Sequence, residues 1–412
     1  MSEKKDVLFL CQYFYPEYIS SATLPYDTAI SLVESGISVD VLTGYPKEYN
    51  LKTEVPMKET HRNIRIKRIK YLQLERGNFI GRLVNYFSFT FSVLLKINSL
   101  KHYKSIIVYS NPPILPLIAA ISKKIFKTKV IFVSYDIYPE IAIHSNVLSE
   151  KSVITKMMSL INKFVFKNVN KVIALSDEMK QFLLKNRPLF NKDIDIIPNW
   201  YDDKGKALTF NKNEIDNEKF YFLKTKKFIV SYFGNMGVCQ DIDTIVGAMV
   251  KHKNNKDIHF LFAGHGTKVE SLIQTIKENG LTNATVFDFL HGQDYTDALN
   301  ISDAFIVSLE KNITGLAVPS KTYAYMMSGK PVLAIMEEQS DISQDLIRHS
   351  AGYAIEPGDS TQLYNAIYNL SLDPDKCQVM GDNCRNIYLE KYTKEKCTMQ
   401  YVSMINKLLE EQ

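Results

Sequence analysis

Short apolar runs alternate with longer amphipathic segments along the whole chain. A short apolar run is typical of a buried strand, and apolar positions at helical spacing are typical of a helix that covers a sheet. The alternation therefore predicts βα units and parallel sheets in an α/β protein. In the first half, strands are expected near residues 7–11, 37–43, 64–69, 105–110, 129–135, 171–175 and 194–197, with helices at about 23–35, 79–100, 114–126, 150–168 and 177–186. In the second half, strands are expected near residues 228–233, 258–263, 284–289, 304–308, 331–335 and 352–355.

A polar and charged segment divides the chain near its middle. Residues 201–227 lack apolar periodicity and follow a turn that contains Pro198, so a domain boundary is expected here. We expect a first domain of residues 1–200, a second domain of residues 201–385, and a C-terminal helix within 386–412 that packs back toward the first domain. Both domains are expected to be doubly wound parallel sheets facing a central cleft, where ligands bind beyond the carboxyl ends of the strands.

Composition narrows the class of protein. With 45% hydrophobic and 23% charged residues, the chain of 412 residues can bury large cores and does not resemble a disordered chain. Its five cysteines form no CxxC pair and are odd in number, which favours a reduced cytosolic compartment over a disulfide framework or a zinc module. The first apolar run is too short for a signal peptide, and residues 83–95 are too few to span a bilayer as a helix. We therefore expect no membrane-spanning helix.

Basic residues are concentrated in the first half. Residues 1–200 carry 28 Lys and Arg against 17 Asp and Glu, whereas the rest of the chain carries 22 and 28. This asymmetry suits a polyanionic partner, either nucleic acid or an anionic membrane surface. The cluster between Arg62 and Arg82 directly precedes the uncharged aromatic run 83–95, a combination typical of segments that bind a membrane surface. A buried helix packed on the sheet would have the same apolar run. We predict peripheral binding to anionic lipid through residues 79–100 and the basic residues Arg62, Arg65, Lys67, Arg68 and Lys70.

Two glycine-rich turns follow strands of the second half. Gly234-Asn235-Met236-Gly237 comes after strand 228–233, and Gly264-His265-Gly266 comes after strand 258–263. Glycine between a strand and a helix lets the backbone approach a phosphate closely. Each turn could also be a tight connection with no ligand, and His265 could be an ordinary surface residue.

A lysine stands in the first turn of a helix predicted after Pro319. Ser320 is suited to cap this helix, and Gly329 followed by Lys330 and Pro331 is suited to end it. A cation in the first turn opposes the helix dipole unless an anion lies beside it. Lys321 is therefore a candidate phosphate ligand, and the alternative is a solvated lysine.

Carboxylates and aromatic residues follow two strands of the first half. Asp136 and Glu140 come after strand 129–135, and Tyr15 and Glu17 come after the first strand. Aromatic rings could stack on a sugar, and carboxylates could orient or deprotonate its hydroxyls. The acids could equally cap the helices that follow.

The order of these motifs resembles glycosyltransferase family 4. The motifs are QYFYPE near the start, YSNPP at 109–113, DIYPE at 136–140, VIALSDEMKQFL at 172–183, IIPNWYD at 196–202, YFGNMG at 232–237 and PSKTYAYMMSGKPVLA at 319–334. The chain is most similar to the surface-polysaccharide branch of that family, which includes transferases of N-acetylfucosamine and other N-acetylhexosamines. The resemblance implies the GT-B fold, with the nucleotide sugar on the second Rossmann-like domain and the acceptor on the first. It also implies retention of anomeric configuration without a metal or another cofactor.

The resemblance also assigns roles to residues. Asp136, Glu140 and Lys321 are implied as catalytic residues, the two acids near the sugar and the acceptor. Leu316 and Ala324 stand where the family usually has two glutamates, the second of which holds the ribose. Glu310 is a candidate to compensate, and Gln240 stands where many members have a phosphate-binding lysine. Together with the turns described above, this predicts a donor site of Gly234, Asn235, Gly237, Gln240, Gly264, His265, Glu310, Pro319, Ser320, Lys321 and Thr322, and an acceptor side of Tyr15, Glu17, Ser20 and Ser21.

The expected function is transfer of a sugar, expected to be an N-acetylated hexosamine or 6-deoxyhexosamine carried by UDP, to a polyprenyl-diphosphate-linked glycan in capsule or O-antigen synthesis. The enzyme would work at the inner face of the cell membrane. The missing glutamates leave an alternative, a catalytically weak or inactive GT-B-like nucleotide-sugar-binding partner of another transferase. Nucleic-acid binding is not expected because no recognisable binding module accompanies the basic residues. A dinucleotide oxidoreductase is disfavoured because no GxGxxG follows the first strand.

Overall fold

The computed structural model describes residues 4–46, 54–74, 79–190, 193–203 and 212–410. The chain divides into two compact units. The first contains Met1–Asn199, Gly315–Val318 and Lys394–Gln412, and the second contains Trp200–Thr314 and Pro319–Thr393. A short segment and the C-terminal helix of the later sequence therefore belong to the first unit.

Each unit contains one sheet of mainly parallel strands flanked by helices. The strands are β1 (Lys5–Leu10), β2 (Val39–Gly44), β3 (Lys58–His61), β4 (Ile64–Ile69), β5 (Tyr103–Tyr109), β6 (Lys129–Val133), β7 (Lys171–Ala174), β8 (Ile194–Ile196), β9 (Phe228–Asn235), β10 (Ile258–His265), β11 (Ala284–Phe287), β12 (Ala304–Ser308), β13 (Val332–Ile335) and β14 (Gly352–Ile355). The helices are α1 (Ser20–Glu34), α2 (Phe79–Leu94), α3 (Pro116–Phe126), α4 (Glu140–His144), α5 (Val153–Lys167), α6 (Asp177–Asn186), α7 (Ile242–Lys251), α8 (Val269–Glu278), α9 (Gly292–Ile301), α10 (Lys321–Met327), α11 (Asp341–Arg348), α12 (Ser360–Leu372), α13 (Pro374–Ile387) and α14 (Lys394–Glu410).

The sheet of the first unit has the order β3-β4-β2-β1-β5-β6-β7-β8. Its strands are parallel except β3, which pairs antiparallel with β4 at the edge. The central strands β5 and β6 are buried over four or more successive residues, as expected for parallel strands covered on both faces. Helix α14 packs on α1, where the Ser31 hydroxyl donates to Thr398 Oγ1 at 2.9 Å.

The sheet of the second unit has the order β11-β10-β9-β12-β13-β14 and is parallel throughout. Phe260 and Phe262 of β10 lie in its core against helix residues such as Ile245 of α7. Asp241 caps α7 by accepting the Thr244 N–H at 2.9 Å, which satisfies one of the free donors at the helix start. This cap fixes the end of the loop that begins at Gly234.

The fold class predicted from the sequence, two doubly wound parallel-sheet α/β domains, is confirmed. Every strand predicted in the two halves is present, with ends shifted by a few residues. Strand β3 was not predicted, because its sequence, Lys-Glu-Thr-His, has no alternation of apolar and polar residues. The helix predicted over 79–100 ends at Leu94, and a 3₁₀ turn, Ile97–His102, follows it. Within the described residues, no helix combines the length and apolar character that crossing a bilayer requires.

Candidate functional site

The two glycine-rich turns of the second unit lie side by side. Gly234 pairs with Gly264, and Asn235 pairs with His265, at the carboxyl ends of β9 and β10. A Cβ atom on Gly264 would lie 2.0 Å from the Gly234 carbonyl oxygen, and one on Gly266 would lie 2.3 Å from the Met236 carbonyl oxygen. Both glycines also have a positive φ. Gly264 and Gly266 are therefore required for the backbones of the two turns to approach each other.

Lys321 lies against the end of β9. Its ammonium donates to the Asn235 carbonyl oxygen at 3.3 Å and lies 3.6 Å from the centroid of the Tyr232 ring. A Cβ atom on Gly234 would lie 3.5 Å from Lys321 Cε, and Gly234 has a φ of +113°. The structure thus brings together three residues that the sequence predicted for the donor site: Gly234, Asn235 and Lys321.

The charge of Lys321 has no carboxylate partner among the described residues. Burial lowers the pKa of Lys321 well below its ordinary value. A negatively charged ligand beside the ammonium would favour its protonated form and gain a charge-assisted hydrogen bond. The environment of Lys321 therefore suits an anion such as a phosphate.

Tyr325 holds α10 against β9, a contact that the sequence did not reveal. Its hydroxyl accepts the Phe233 N–H at 2.7 Å and donates to the Phe233 carbonyl oxygen at 3.0 Å. The ring stacks on Phe305, with centroids 4.2 Å apart. Pairing between β9 and β12 ends at Ser231, so the Tyr325 hydroxyl bonds the strand groups that β12 no longer reaches. The tyrosine thereby fixes Lys321 relative to Gly234.

Gln240 closes the loop that follows Gly234. Its Oε1 accepts the Gly237 N–H at 3.0 Å and the Asn235 side-chain amide at 3.1 Å. Two donors of the predicted phosphate-binding loop thus converge on one oxygen atom. The loop has the local geometry of an oxygen-binding turn, although here the oxygen belongs to Gln240.

Glu310 forms an ion pair that the sequence did not predict. Its Oε1 lies 2.5 Å from the Lys268 ammonium, which also donates to the Gln240 carbonyl oxygen at 2.8 Å. The Glu310 N–H donates to the Cys239 carbonyl oxygen at 2.9 Å. Glu310 and Lys268 therefore both bond to the loop that contains Cys239 and Gln240. That Glu310 replaces the ribose contact of the missing glutamate stays a prediction.

Helix α10 starts where the sequence predicted it, with Ser320 at the N-cap position. Ser320 has helical angles, φ −61° and ψ −20°, and its side chain makes no capping hydrogen bond. Both donors of Thr322, its N–H and its hydroxyl, bond to the Pro319 carbonyl oxygen at 3.1 and 2.8 Å. Thr322 is thus already bonded within the turn and buried. Ala324, in the position of the family's ribose-binding glutamate, is also buried.

His265 belongs to an exposed cluster of rings. Its imidazole centroid lies 5.6 Å from that of Phe289, which in turn lies 5.2 Å from that of His291. The Phe289 side chain is half exposed. The sequence singled out His265 alone, because Phe289 and His291 follow β11 and approach it only through the pairing of β10 with β11.

Asp136 follows β6 in the first unit. The Asp136 and Tyr135 N–H groups donate to the Ser110 hydroxyl oxygen at 3.3 and 2.9 Å, which holds the turn. Residues 315–318 pass beside it, and the Ile137 N–H donates to the Leu316 carbonyl oxygen at 2.8 Å. Burial raises the pKa of Asp136 to about 6, although its side chain stays partly accessible.

Glu140 is held in an ion pair. Both carboxylate oxygens accept from the Arg187 guanidinium, at 2.8 and 2.7 Å, and the same nitrogen approaches the Tyr138 carbonyl oxygen at 3.3 Å. Both oxygens of the carboxylate are therefore already engaged by the guanidinium. The geometry therefore favours a positioning role for Glu140, and Arg187, which joins α6 to α4, was missed by the sequence because the two residues are 47 positions apart.

The predicted acceptor-side residues are divided between two surroundings. The Tyr15 ring stacks on His61 at 4.1 Å and on Tyr26 at 5.4 Å, so one ring face is already covered. Glu17 is buried. Ser20 is exposed and Ser21 is half-buried at the start of α1. Of this group, Ser20 is the most accessible to a ligand.

The predicted membrane segment has an apolar outer face and fewer free cations than expected. On α2, Ile80 is 65% exposed and Phe91 60% exposed, whereas Asn85 is buried. Arg65 bonds Asp40 at 2.9 and 2.7 Å. Arg68 is buried among Glu59, Pro56 and Tyr15, so the prediction that Arg68 faces lipid is wrong. Arg62, Lys67, Lys70 and Arg82 are exposed, and Arg76 lies outside the described residues.

No group of three or more His, Cys, Asp or Glu within the described part of the chain could hold a metal ion. The five cysteines are free thiols. The polar groups suited to bind a ligand are the Lys321 ammonium, the Gly237 N–H and the partly accessible Asp136 carboxylate.

Two protein families match the chain, one on each half. Residues 22–204 match the family described as Glycosyltransferase Family 4, and residues 213–387 match the family described as Glycosyl transferases group 1. A Pseudomonas aeruginosa protein named "Probable glycosyltransferase WbjE" is 24% identical over 73% of this chain and 74% of its own length. The N-acetyl-alpha-D-glucosaminyl L-malate synthase of Bacillus anthracis is 24% identical over 51% of this chain and 53% of its own length.

Solved structures share the fold over nearly the whole chain. Sucrose-phosphate synthase from Thermosynechococcus elongatus superposes with a TM-score of 0.76 at 16% identity, over 99% of this chain and 100% of that chain. Anabaena HepE in complex with UDP superposes with a TM-score of 0.70 at 15% identity, over 98% of this chain and 100% of that chain.

The two sheets and the matches on both halves define a glycosyltransferase of the GT-B fold. The chain belongs to glycosyltransferase family 4 and is a hexosyltransferase.

Proposed function

We propose that the protein transfers an N-acetylated hexosamine or 6-deoxyhexosamine from UDP to a polyprenyl-diphosphate-linked glycan, with retention of anomeric configuration, in the synthesis of a capsule or O-antigen. The observation that carries this proposal is Lys321, a partly buried cation beside Gly234 with no carboxylate partner among the described residues. UDP is chosen because the HepE structure contains it, and an N-acetylated sugar because one relative is named for N-acetylglucosaminyl transfer.

The second unit would hold the donor diphosphate. The Lys321 ammonium and the Gly237 N–H offer a charge and a donor where negative charge builds as the bond between the sugar and the diphosphate breaks. A phosphate can bind the Gly237 N–H only if the Gln240 side chain moves away, because Gln240 Oε1 accepts the hydrogen bond from that N–H in this structure. The sugar passes through an oxocarbenium-like state.

The chemical step needs no separate nucleophile from the protein. The bond between the anomeric carbon and the phosphate oxygen breaks, and a bond to the acceptor oxygen forms on the same face of the sugar. The acceptor hydroxyl proton passes to the departing phosphate oxygen. Asp136 of the first unit would orient the acceptor sugar by accepting a hydrogen bond from a neighbouring hydroxyl, which leaves the proton of the reacting hydroxyl directed at the phosphate oxygen. This is a task for the ionised carboxylate.

A lipid-linked acceptor calls for attachment to a membrane. The exposed apolar side chains of α2, with Lys67, Lys70 and Arg82 nearby in sequence, support peripheral binding to the inner face of an anionic cell membrane. Arg65 and Arg68 are left out of this surface because both are bonded within the first unit.

The test is transfer by the purified protein from UDP-N-acetylhexosamines to a polyprenyl-diphosphate-linked saccharide, with the product anomer assigned by NMR. Replacing Lys321 with Ala should lower kcat/KM on the order of 10²- to 10³-fold. Lys311→Ala is the matched control, since Lys311 is an exposed lysine of the same unit with only a 4.0 Å contact to Glu356. Equal activity of wild type and Lys321→Ala would overturn the phosphate role. Nucleotide binding without transfer or donor hydrolysis would favour the inactive-partner alternative.

A further inference from the structure

Helices α2, α3 and α5 are neighbours on one face of the first sheet, the face on which α6 also lies. The connections from β4 to β5, from β5 to β6 and from β6 to β7 all run in the same direction across the sheet. Right-handed crossovers therefore place their helices on the same face. Helix α3 contacts both α2 and α5, so it lies between them.

The outer side of α5 is apolar. Val153 is 82% exposed and Leu160 70% exposed, and Met157 between them is also exposed. Their spacing of four and three residues puts them on one stripe of the helix. The opposite side is already buried in the unit through Met158 and Phe166. A surface helix ordinarily has its polar side toward solvent. The exposed apolar stripe of α5 is therefore typical of a surface that binds another molecule or a membrane.

Helix α3 links this stripe to the apolar outer face of α2. Ile125, near its end, is 58% exposed. Phe164 of α5 lies beside the same end of α3, with the Lys124 ammonium 5.5 Å from its ring centroid. Exposed apolar side chains thus occur on all three helices.

The charged residues of this part of the chain are mainly basic. Between residues 79 and 167 the chain has twelve Lys and Arg but only three Asp and Glu, and two of these acids are Asp136 and Glu140. Lys124, Lys127, Lys156, Lys163 and Lys167 are exposed, and none of them pairs with a carboxylate within the residues that the structure describes. Long lysine side chains can lie along apolar surface while their charge remains in water or among lipid phosphates.

We infer that the outer surface of α3 and α5 binds an anionic lipid bilayer together with α2, so that the attachment surface extends over these three neighbouring helices. The inference rests on the membrane attachment proposed above and extends it to a second, separate helix. Unpaired cations beside exposed apolar stripes favour a bilayer over a protein partner, because an anionic leaflet supplies both the negative charge and the apolar interior.

The test is flotation of the full chain with vesicles of phosphatidylglycerol and phosphatidylcholine, and with phosphatidylcholine alone. An α5 variant combines Val153→Ser, Lys156→Gln, Leu160→Ser and Lys163→Gln, and an α2 variant combines Phe87→Ser and Phe91→Ser. The control, Ile273→Ser with Lys277→Gln, alters an exposed apolar residue and an exposed lysine on α8 of the second unit. Circular dichroism and UDP binding check that each variant is folded.

We expect the α5 variant to lose at least tenfold in affinity for anionic vesicles, since the loss of two lysines alone corresponds to roughly thirtyfold. The control should match the wild type, and binding to phosphatidylcholine alone should be weak. Wild-type flotation of the α5 variant, with loss only in the α2 variant, would overturn this inference and leave the proposed attachment standing. No flotation of the wild type would instead overturn the attachment itself. Loss of self-association in sedimentation velocity, with flotation unchanged, would assign α5 to a second copy of the chain and overturn the lipid assignment.

Discussion

Asp136 is the residue whose ionisation is expected to affect both activity and stability. Burial raises its pKa from 3.8 to about 6, so the folded protein holds this proton more tightly than the unfolded chain does. The ionised carboxylate therefore costs stability at pH values above about 6. That cost is absent below pH 3.8, where both states are protonated.

Replacing Asp136 with Asn should raise Tm at pH 8 and change it much less at pH 4. The same change should lower transfer activity and remove the acidic limb near pH 6 from the pH profile of kcat/KM, because orientation of the acceptor sugar depends on the ionised carboxylate. Thermal denaturation at the two pH values and initial rates between pH 5 and 8 measure both effects. An Asn variant with a wild-type pH profile would remove Asp136 from the acceptor site.

At the scale of elements, Tyr325 determines how α10 meets β9. Replacing it with Phe leaves the Phe233 N–H and carbonyl without the hydroxyl that bonds both. We expect a loss of roughly 1–3 kcal/mol in the free energy of unfolding and a higher KM for the donor, because Lys321 loses its fixed distance from Gly234. Denaturant unfolding and donor kinetics measure these changes.

Tyr364→Phe is the control for this prediction, since Tyr364 of α12 packs against His252 and Tyr368 through its ring. Its unfolding free energy should stay within about 0.5 kcal/mol of the wild type. Equal stability of Tyr325→Phe and Tyr364→Phe would show that the hydroxyl does not anchor the helix.

The Glu140–Arg187 pair links α4 to the end of α6. Glu140→Gln and Arg187→Gln should each cost about 2 kcal/mol, less than a fully buried pair because both side chains are partly accessible. Their double variant should cost less than the sum of the two. A catalytic Glu140 would instead show a loss of kcat far larger than that of Arg187→Gln, which steady-state kinetics would reveal.

The strands could be predicted because parallel strands buried on both faces leave short apolar runs in the sequence. The edge strand β3 left no such run, and its pairing depends on the turn at Arg62 and Asn63, which both have a positive φ. Ser320 occupies the predicted N-cap position but makes no capping hydrogen bond, because the chain enters α10 already helical and Thr322 bonds to the Pro319 carbonyl oxygen instead. Local sequence rules do not include such competition between neighbouring acceptors.

At the scale of the whole molecule, the site residues that could be predicted are those contained in a local motif, such as Gly234 or Lys321. Their partners are far away in sequence: Lys268 is 42 residues from Glu310, and Tyr325 is 92 residues from Phe233. These pairings depend on the strand order of each sheet, which amphipathic periodicity does not encode. The charge asymmetry of the chain was likewise visible in the sequence, but the burial of Arg68 was not.

The path of the chain limits how chimaeras of this enzyme can be made. Residues 315–318 interrupt the second unit and pair with the backbone near Asp136 in the first unit. A cassette of residues 200–393 taken from a relative would carry a foreign 315–318 segment against the host's Asp136 turn. A chimaera that exchanges donor preference should therefore keep the host's residues 315–318 and α14. The exchanged part then consists of two segments, 200–314 and 319–393, which are joined to the host chain at four points.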